Sequence, residues 1–211
     1  TIENSIEETQ KVADEYLRNR KLLNCKSFHN NIISSMMATV YAKSQETEEH
    51  AKRLAKLSKM IGEKIDISQK SLGDLELLAM LHDIGKVGID DRVLNKRGKL
   101  NEDEWAIMKK HPEIGYRIAK SSSELESVAE YILSHHERWD GKGYPRGLKG
   151  KEIPLLSRII AVVDAYDAMT EDRVYRKALT KKEAIEEIKN NAGTQFDPDI
   201  ANIFVESMQE E

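Results

Sequence analysis

LELLAMLHDIGKVGI, Leu75–Ile89, carries an apolar helical stripe straight into a cluster of charge. Leu75, Leu77, Leu78 and Leu81 recur at the spacing of one helix face, and His82 and Asp83 follow at once, with Lys86 one turn on. Unpaired buried charge is costly, so such a trio at the end of an apolar run needs partners. Two readings compete: a helix end turning to solvent at Gly85 and Gly88, or a set of ligands facing a metal. Adjacent helical residues point about 100° apart, so His82 and Asp83 reach one site only if it lies against that face and spans more than one ion. An aspartate can serve two ions, one through each oxygen.

The same helical period recurs along the chain. Leu54, Leu57, Ile61 and Ile65 form a second stripe, while strict alternation is sustained nowhere. Asn101 with Glu104, Ser123 with Glu126, and Thr180 with Glu183 have the spacing of capping boxes, and Asp197-Pro198 reads as an N-cap followed by proline in the first turn. These features predict an all-α helical bundle of roughly seven to nine helices. Asp140–Pro154, DGKGYPRGLKGKEIP, breaks the pattern: it holds four of the eleven glycines and two of the four prolines. It reads as a long functional loop. Residues 1–31 are polar and helix-prone with a ragged heptad, which suits a helical linker or a segment forming a homodimer; residues 32–211 read as the main helical domain.

Composition narrows the function classes. The 211 residues carry a net charge of −4, which argues against a long nucleic acid held by bulk positive charge. Positive charge is local, with six Lys/Arg against three Asp/Glu over Glu137–Arg158 and five against two over Thr170–Lys182. That distribution suits a small anionic ligand. Cys25 is the single cysteine, so a disulfide framework is excluded and a reducing, cytoplasmic compartment is expected. The chain begins at Thr1, and we expect a fragment of a longer protein whose upstream part could hold a membrane tether.

Five of the six histidines have company. His50 follows Glu46 by four residues, on one helix face; alone, the pair reads more readily as an exposed surface pair than as ligands. His111 precedes Pro112 and, by itself, reads as a helix cap. His135 and His136 are adjacent and feed the glycine loop, which packing rarely requires. Asp164 lies in the apolar stretch RIIAVVDAYDAMT and needs a cation or a partner, with Asp167 one turn further on. His29 has no such neighbours. Imidazole and carboxylate without thiolate is the ligand set of iron, manganese or zinc in hydrolysis.

The joint order H…HD…H…HH…D, with Gly143-Tyr144-Pro145 after the histidine pair, resembles the HD-GYP family, a branch of the HD-domain metal-dependent phosphohydrolases. The resemblance runs from about Ile32 to Phe204 and includes LHDIGKVGI, HPEIGYRI, HHERWDGKGYP, DRVYRKAL and GTQFDP. It implies an HD-type helical bundle with a glycine-rich GYP loop, hydrolysing cyclic di-GMP to pGpG, GMP or both. It implies two or three metal ions, iron or alternatively manganese, held by Glu46, His50, His82, Asp83, His111, His135, His136 and Asp164, with Asp83 bridging. Lys86 would contact the phosphate and assist catalysis with Asp83; Tyr144, Asp167, Arg173 and Arg176 would bind the nucleotide. Diguanylate cyclase (GGDEF) domains are the protein partners it suggests. The chain departs from the family pattern in having Glu48-Glu49 after Thr47, Val174 where proline is common, and Arg176 where lysine is common. Two other readings remain: a nucleotide-binding or partner-docking module with little turnover, and an HD phosphohydrolase for another nucleotide.

Overall fold

Thr47 opens the first long helix of the site by accepting a hydrogen bond from His50 N at 3.1 Å. Glu48 and Glu49 lie in its first turn, where the helix dipole favours acids, so the departure from the family pattern at these positions makes a sound N-terminus. The computed structural model describes residues 34–43, 47–171 and 177–209. Glu46, Arg173, Arg176 and the segment 1–31 therefore lie outside the described residues. Helix α1 covers residues 34–43, α2 Glu48–Lys64, α3 Gln69–Leu81, α4 Asp91–Leu94 and α5 Glu102–Met108. After them come α6 His111–Lys120, α7 Ala129–Ser134, α8 Leu155–Thr170, α9 Lys181–Asn190 and α10 Pro198–Gln209. Three short 3-10 segments, at Ile84–Gly88, Glu126–Val128 and Gly150–Glu152, join them. No strand occurs among the described residues; one isolated bridge links Ala192 and Phe196. The all-α expectation holds, with more α-helices than expected because α4, α5 and α7 are too short to leave a periodic signature.

The unit Thr39–Glu211 holds every helix from α2 onward. Its core is built where α2 packs on α3 and α8, and α8 on α9 and α10. Leu54 and Ile61 of α2, Leu75, Leu78 and Leu81 of α3, Ile159 and Ile160 of α8 and Phe204 of α10 are all excluded from solvent. The buried line on α2 is His50, Leu54, Ser58, Ile61, spaced four, four and three residues apart. The core-facing stripe thus delivers an imidazole at its N-terminal end. No residue of α8 is fully exposed, as its apolar sequence demands; Asp167 is carried into the interior with it, and Asp164 lies half-buried at its edge.

Two of the expected capping boxes form: Asn101 with Glu104, and Thr180 with Glu183. Asp197 also caps as expected, accepting from Asp199 N at 2.9 Å. Ser123 with Glu126 does not form a box. There the chain makes a 3-10 turn from Glu126, whose carboxylate goes to Lys120 at 2.8 Å instead. Among the described residues no helix is long and apolar enough to cross a membrane.

Candidate metal centre

The site forms where helices end. His82 is the C-terminal cap of α3, Asp83 follows with its backbone leaving the helix (φ −99°, ψ 12°), His111 opens α6, and His135 caps α7. The histidines bind their own backbones in a common way. Nδ1 of His82, His111 and His135 lies 3.2, 2.9 and 2.6 Å from the carbonyl oxygen three residues earlier, on Ala79, Met108 and Ile132. A carbonyl only accepts, so Nδ1 carries the proton and Nε2 is the nitrogen turned to the centre. Helix ends leave such carbonyls without intrahelical partners, which is why these rings find them there.

Seven ligand groups gather in two sets. Asp83, His111, His135 and His136 bring ligand atoms within 4.8 Å of one another, as do His50, His82 and Asp164. Asp83 stands between them. Its Oδ1 is 3.1 Å from His111 Nε2 and 3.8 Å from His135 Nε2; its Oδ2 is 3.3 Å from His82 Nε2 and 2.6 Å from Lys86 Nζ. His111 and His135 bring their Nε2 atoms to 3.3 Å. With the protons on Nδ1, those two lone pairs and the buried Asp83 Oδ1 point at one another, an arrangement that repels unless a cation lies among them. Buried imidazole and carboxylate, without thiolate, suit iron, manganese or zinc. The residues present fit a pair of such ions.

The electrostatics agree. Burial alone would raise the Asp83 carboxyl; the positive charge of Lys86 beside it outweighs burial and holds it well below the usual carboxylate range. Burial, reinforced by neighbouring histidines, pushes His135 well down and His136 down to about 3. Both rings are therefore neutral, as metal ligands must be.

Asp167 departs from the expected nucleotide contact. Its carboxylate is 3% exposed and fully engaged: Oδ2 takes His50 Nδ1 at 2.7 Å, and Arg53 reaches Oδ1 through Nε at 2.6 Å and Oδ2 through Nη2 at 3.0 Å. Burial would raise this carboxyl, but the hydrogen bonds from His50 and Arg53 hold it low. Asp167 thus orients the His50 ring, and Arg53, three residues along the same face of α2, anchors Asp167. The position of Arg53 at i+3 from His50 was the signal in the sequence. Asp167→Ala is expected to weaken metal affinity by roughly 10- to 100-fold, with partial recovery in Asp167→Asn, which keeps an acceptor for Nδ1. Metal titration of the purified variants checks this, and wild-type affinity in Asp167→Ala would refute the orienting role.

The glycine loop is pinned beside the centre by Glu137, also unforeseen. Its buried carboxylate accepts from Arg146 N at 2.7 Å and Leu148 N at 3.0 Å. Arg138 clamps Asp140 and reaches Gln195, and the backbone of Trp139 and Asp140 pairs with Gln195 and Thr194. Gly143 is needed for the loop itself rather than for a ligand: a Cβ there would lie 2.3 Å from Arg138 N and 2.5 Å from Glu137 Cα. Tyr144 is delivered against His136, ring centroids 4.9 Å apart at 34°. Burial first, then the Asp83 charge, pushes its phenol up and keeps it protonated.

The sequence model of the HD domain matches residues 31–200. The chain belongs to the HD domain family, in its HD-GYP branch. Among its relatives, a Thermotoga maritima protein named cyclic di-GMP phosphodiesterase is 42% identical over 170 residues, covering 80% of this chain and 46% of the relative. The Xanthomonas campestris cyclic di-GMP phosphodiesterase response regulator RpfG is 38% identical, covering 79% and 44%. A Vibrio cholerae protein named 3′3′-cGAMP-specific phosphodiesterase 2 is 36% identical, covering 85% and 35%. The chain therefore spans less than half the length of these relatives. The fold is shared with a solved Vibrio cholerae cyclic GMP-AMP phosphodiesterase, V-cGAP3, with a TM-score of 0.66 at 24% identity over 85% of this chain and 48% of that one.

Proposed function

We propose that this domain is a metal-dependent phosphodiesterase that hydrolyses cyclic di-GMP to pGpG, GMP or both. The observation that carries the reading is the division of Asp83 between two ligand sets, one oxygen toward His111 and His135 and the other toward His82. His50, His82 and Asp164 would hold one ion, and His111, His135 and His136 another, with Asp83 shared. Iron is the metal proposed, with manganese as the alternative, and Glu46 is proposed to serve a third ion. When bound, such ions supply a hydrolytic nucleophile at neutral pH and Lewis acidity at the phosphoryl oxygens.

The chain's own groups then have distinct tasks. The Nδ1 hydrogen bonds hold each imidazole in the tautomer that presents Nε2. Lys86, its ammonium 2.6 Å from Asp83, lies where it can meet a non-bridging phosphate oxygen and balance charge developing there. The GYP loop walls one side, with Tyr144 turned to the ligand space and its hydroxyl kept as a donor. Arg173 and Arg176 are proposed to clamp the second phosphate or a guanine edge with their forked donors. The names of the relatives support the substrate class. The Vibrio cholerae relative named for 3′3′-cGAMP makes the mixed dinucleotide the rival substrate.

The test is metal analysis of anaerobically purified protein together with chromatography of products from cyclic di-GMP and from 3′3′-cGAMP. At least two ions per chain and release of pGpG or GMP are expected, with cyclic di-GMP the faster substrate. Metal-replete protein that leaves cyclic di-GMP intact would overturn the proposal, and faster cleavage of the mixed dinucleotide would transfer it to that substrate.

A further inference from the structure

Trp105 is the most exposed large apolar side chain among the described residues, at 46%, and it stands on a well-capped helix. It lies on α5, whose start is locked by the Asn101–Glu104 capping box, and Lys96 grips Glu104 at 2.5 Å. The Trp105 backbone is held at both ends, its N–H to Asn101 O at 2.8 Å and its carbonyl to Lys109 N at 3.0 Å. Its indole meets the ring of Tyr144, centroids 6.3 Å apart at 76°, and Tyr144 in turn lies against His136. An aromatic series thus leads from a metal-facing imidazole out to an exposed indole.

We propose that Trp105 is a substrate-binding residue that stacks a purine base of the cyclic dinucleotide. The proposal rests on the cyclic dinucleotide reading of the site. A base is joined to its phosphate through one sugar, so when the phosphodiester sits at the histidines a base lies to the side, and Tyr144 and Trp105 occupy one such side. A flat, solvent-facing indole braced on one side by Tyr144 is the surface on which a nucleobase stacks irrespective of its hydrogen-bonding edge. A protein-docking patch is the less suitable occupant. The other exposed large apolar residue, Ile107, is two positions away and so about 200° around the helix, and the two form no common patch. Continuity with the metal centre belongs to Trp105 alone of the pair.

The test combines kinetics and fluorescence. Trp105→Ala should raise the KM for cyclic di-GMP by about 5- to 150-fold, the range for losing one base–aromatic stack, while kcat changes little. Trp105→Phe should restore most of the affinity, and Trp105→Leu, apolar but not flat, should not. The chain has two tryptophans, so Trp139→Phe makes Trp105 the sole emitter, and cyclic di-GMP should quench it saturably. A wild-type KM in Trp105→Ala, or an unquenched indole in protein that turns the substrate over, would overturn the stacking role alone. Saturable quenching without turnover would overturn the phosphodiesterase reading and leave the stacking role standing. Absence of both would overturn both.

Discussion

Asp83→Ala is expected to abolish turnover and to empty more than one metal position at once. Among the described residues every other candidate ligand faces one of the two sets, whereas Asp83 presents Oδ1 to His111 and His135 and Oδ2 to His82. Losing a partner that only orients a ligand costs roughly 10- to 100-fold, and losing the shared carboxylate should exceed that range. The substitution also leaves Lys86 without the carboxylate it meets at 2.6 Å and removes negative charge from among four converging imidazoles. Metal content per chain by elemental analysis is the deciding measurement. Asp164→Ala should lose one ion, and Asp83→Ala should lose both. If Asp83→Ala keeps a full complement, the carboxylate does not bridge and the two sets work independently.

Gly85→Ala is expected to produce the largest loss of stability of any glycine-to-alanine change in this chain. A Cβ at Gly85 would lie 1.9 Å from the His111 carbonyl oxygen and 2.5 Å from Gly115 N. These are backbone atoms, so the clash cannot be relieved by a rotamer change; the 3-10 turn and the start of α6 must separate. A cost above roughly 3 kcal/mol follows, which for a domain of this size lowers Tm by roughly 6–12 °C or more. The separation would also draw Asp83 away from His111, so metal affinity should fall with stability. Gly73→Ala is the matched comparison. It lies on an exposed face of α3 with nothing within 4 Å of its Cβ position, and should gain roughly 0.5–1 kcal/mol from helix propensity. Calorimetry of the two variants measures the difference, and equal Tm values would show that the turn and α6 are not in the tight register that joins Asp83 to His111.

How much of this was legible beforehand depended on how local each feature is. The apolar period of α2, α3 and α8, and the capping boxes at Asn101 and Thr180, are contained in a few neighbouring residues and could be read directly. So could the failure of Asp140–Pro154 to be a helix. The pairing of Glu126 with Lys120 could not, because the competing partner lies outside the Ser123–Glu126 window. Short helices such as α4 and α7 left no pattern, since one turn is too little to show a period.

The sequence by itself determined the all-α class, the imidazole and carboxylate donor set, and the order in which those donors occur. Residue type and spacing along one helix are sufficient for these, because they depend only on chain geometry. Only the tertiary structure decided how the donors divide. His50 joins His82 and Asp164 while His111, His135 and His136 gather on the other side of Asp83, a grouping between elements far apart in the chain. It also decided that Asp167, one turn from Asp164 and of the same residue type, is turned away to His50 and Arg53. Two aspartates on one helix are alike until the neighbouring helix supplies an arginine to one of them, and that neighbour is chosen by the packing of α2 on α8.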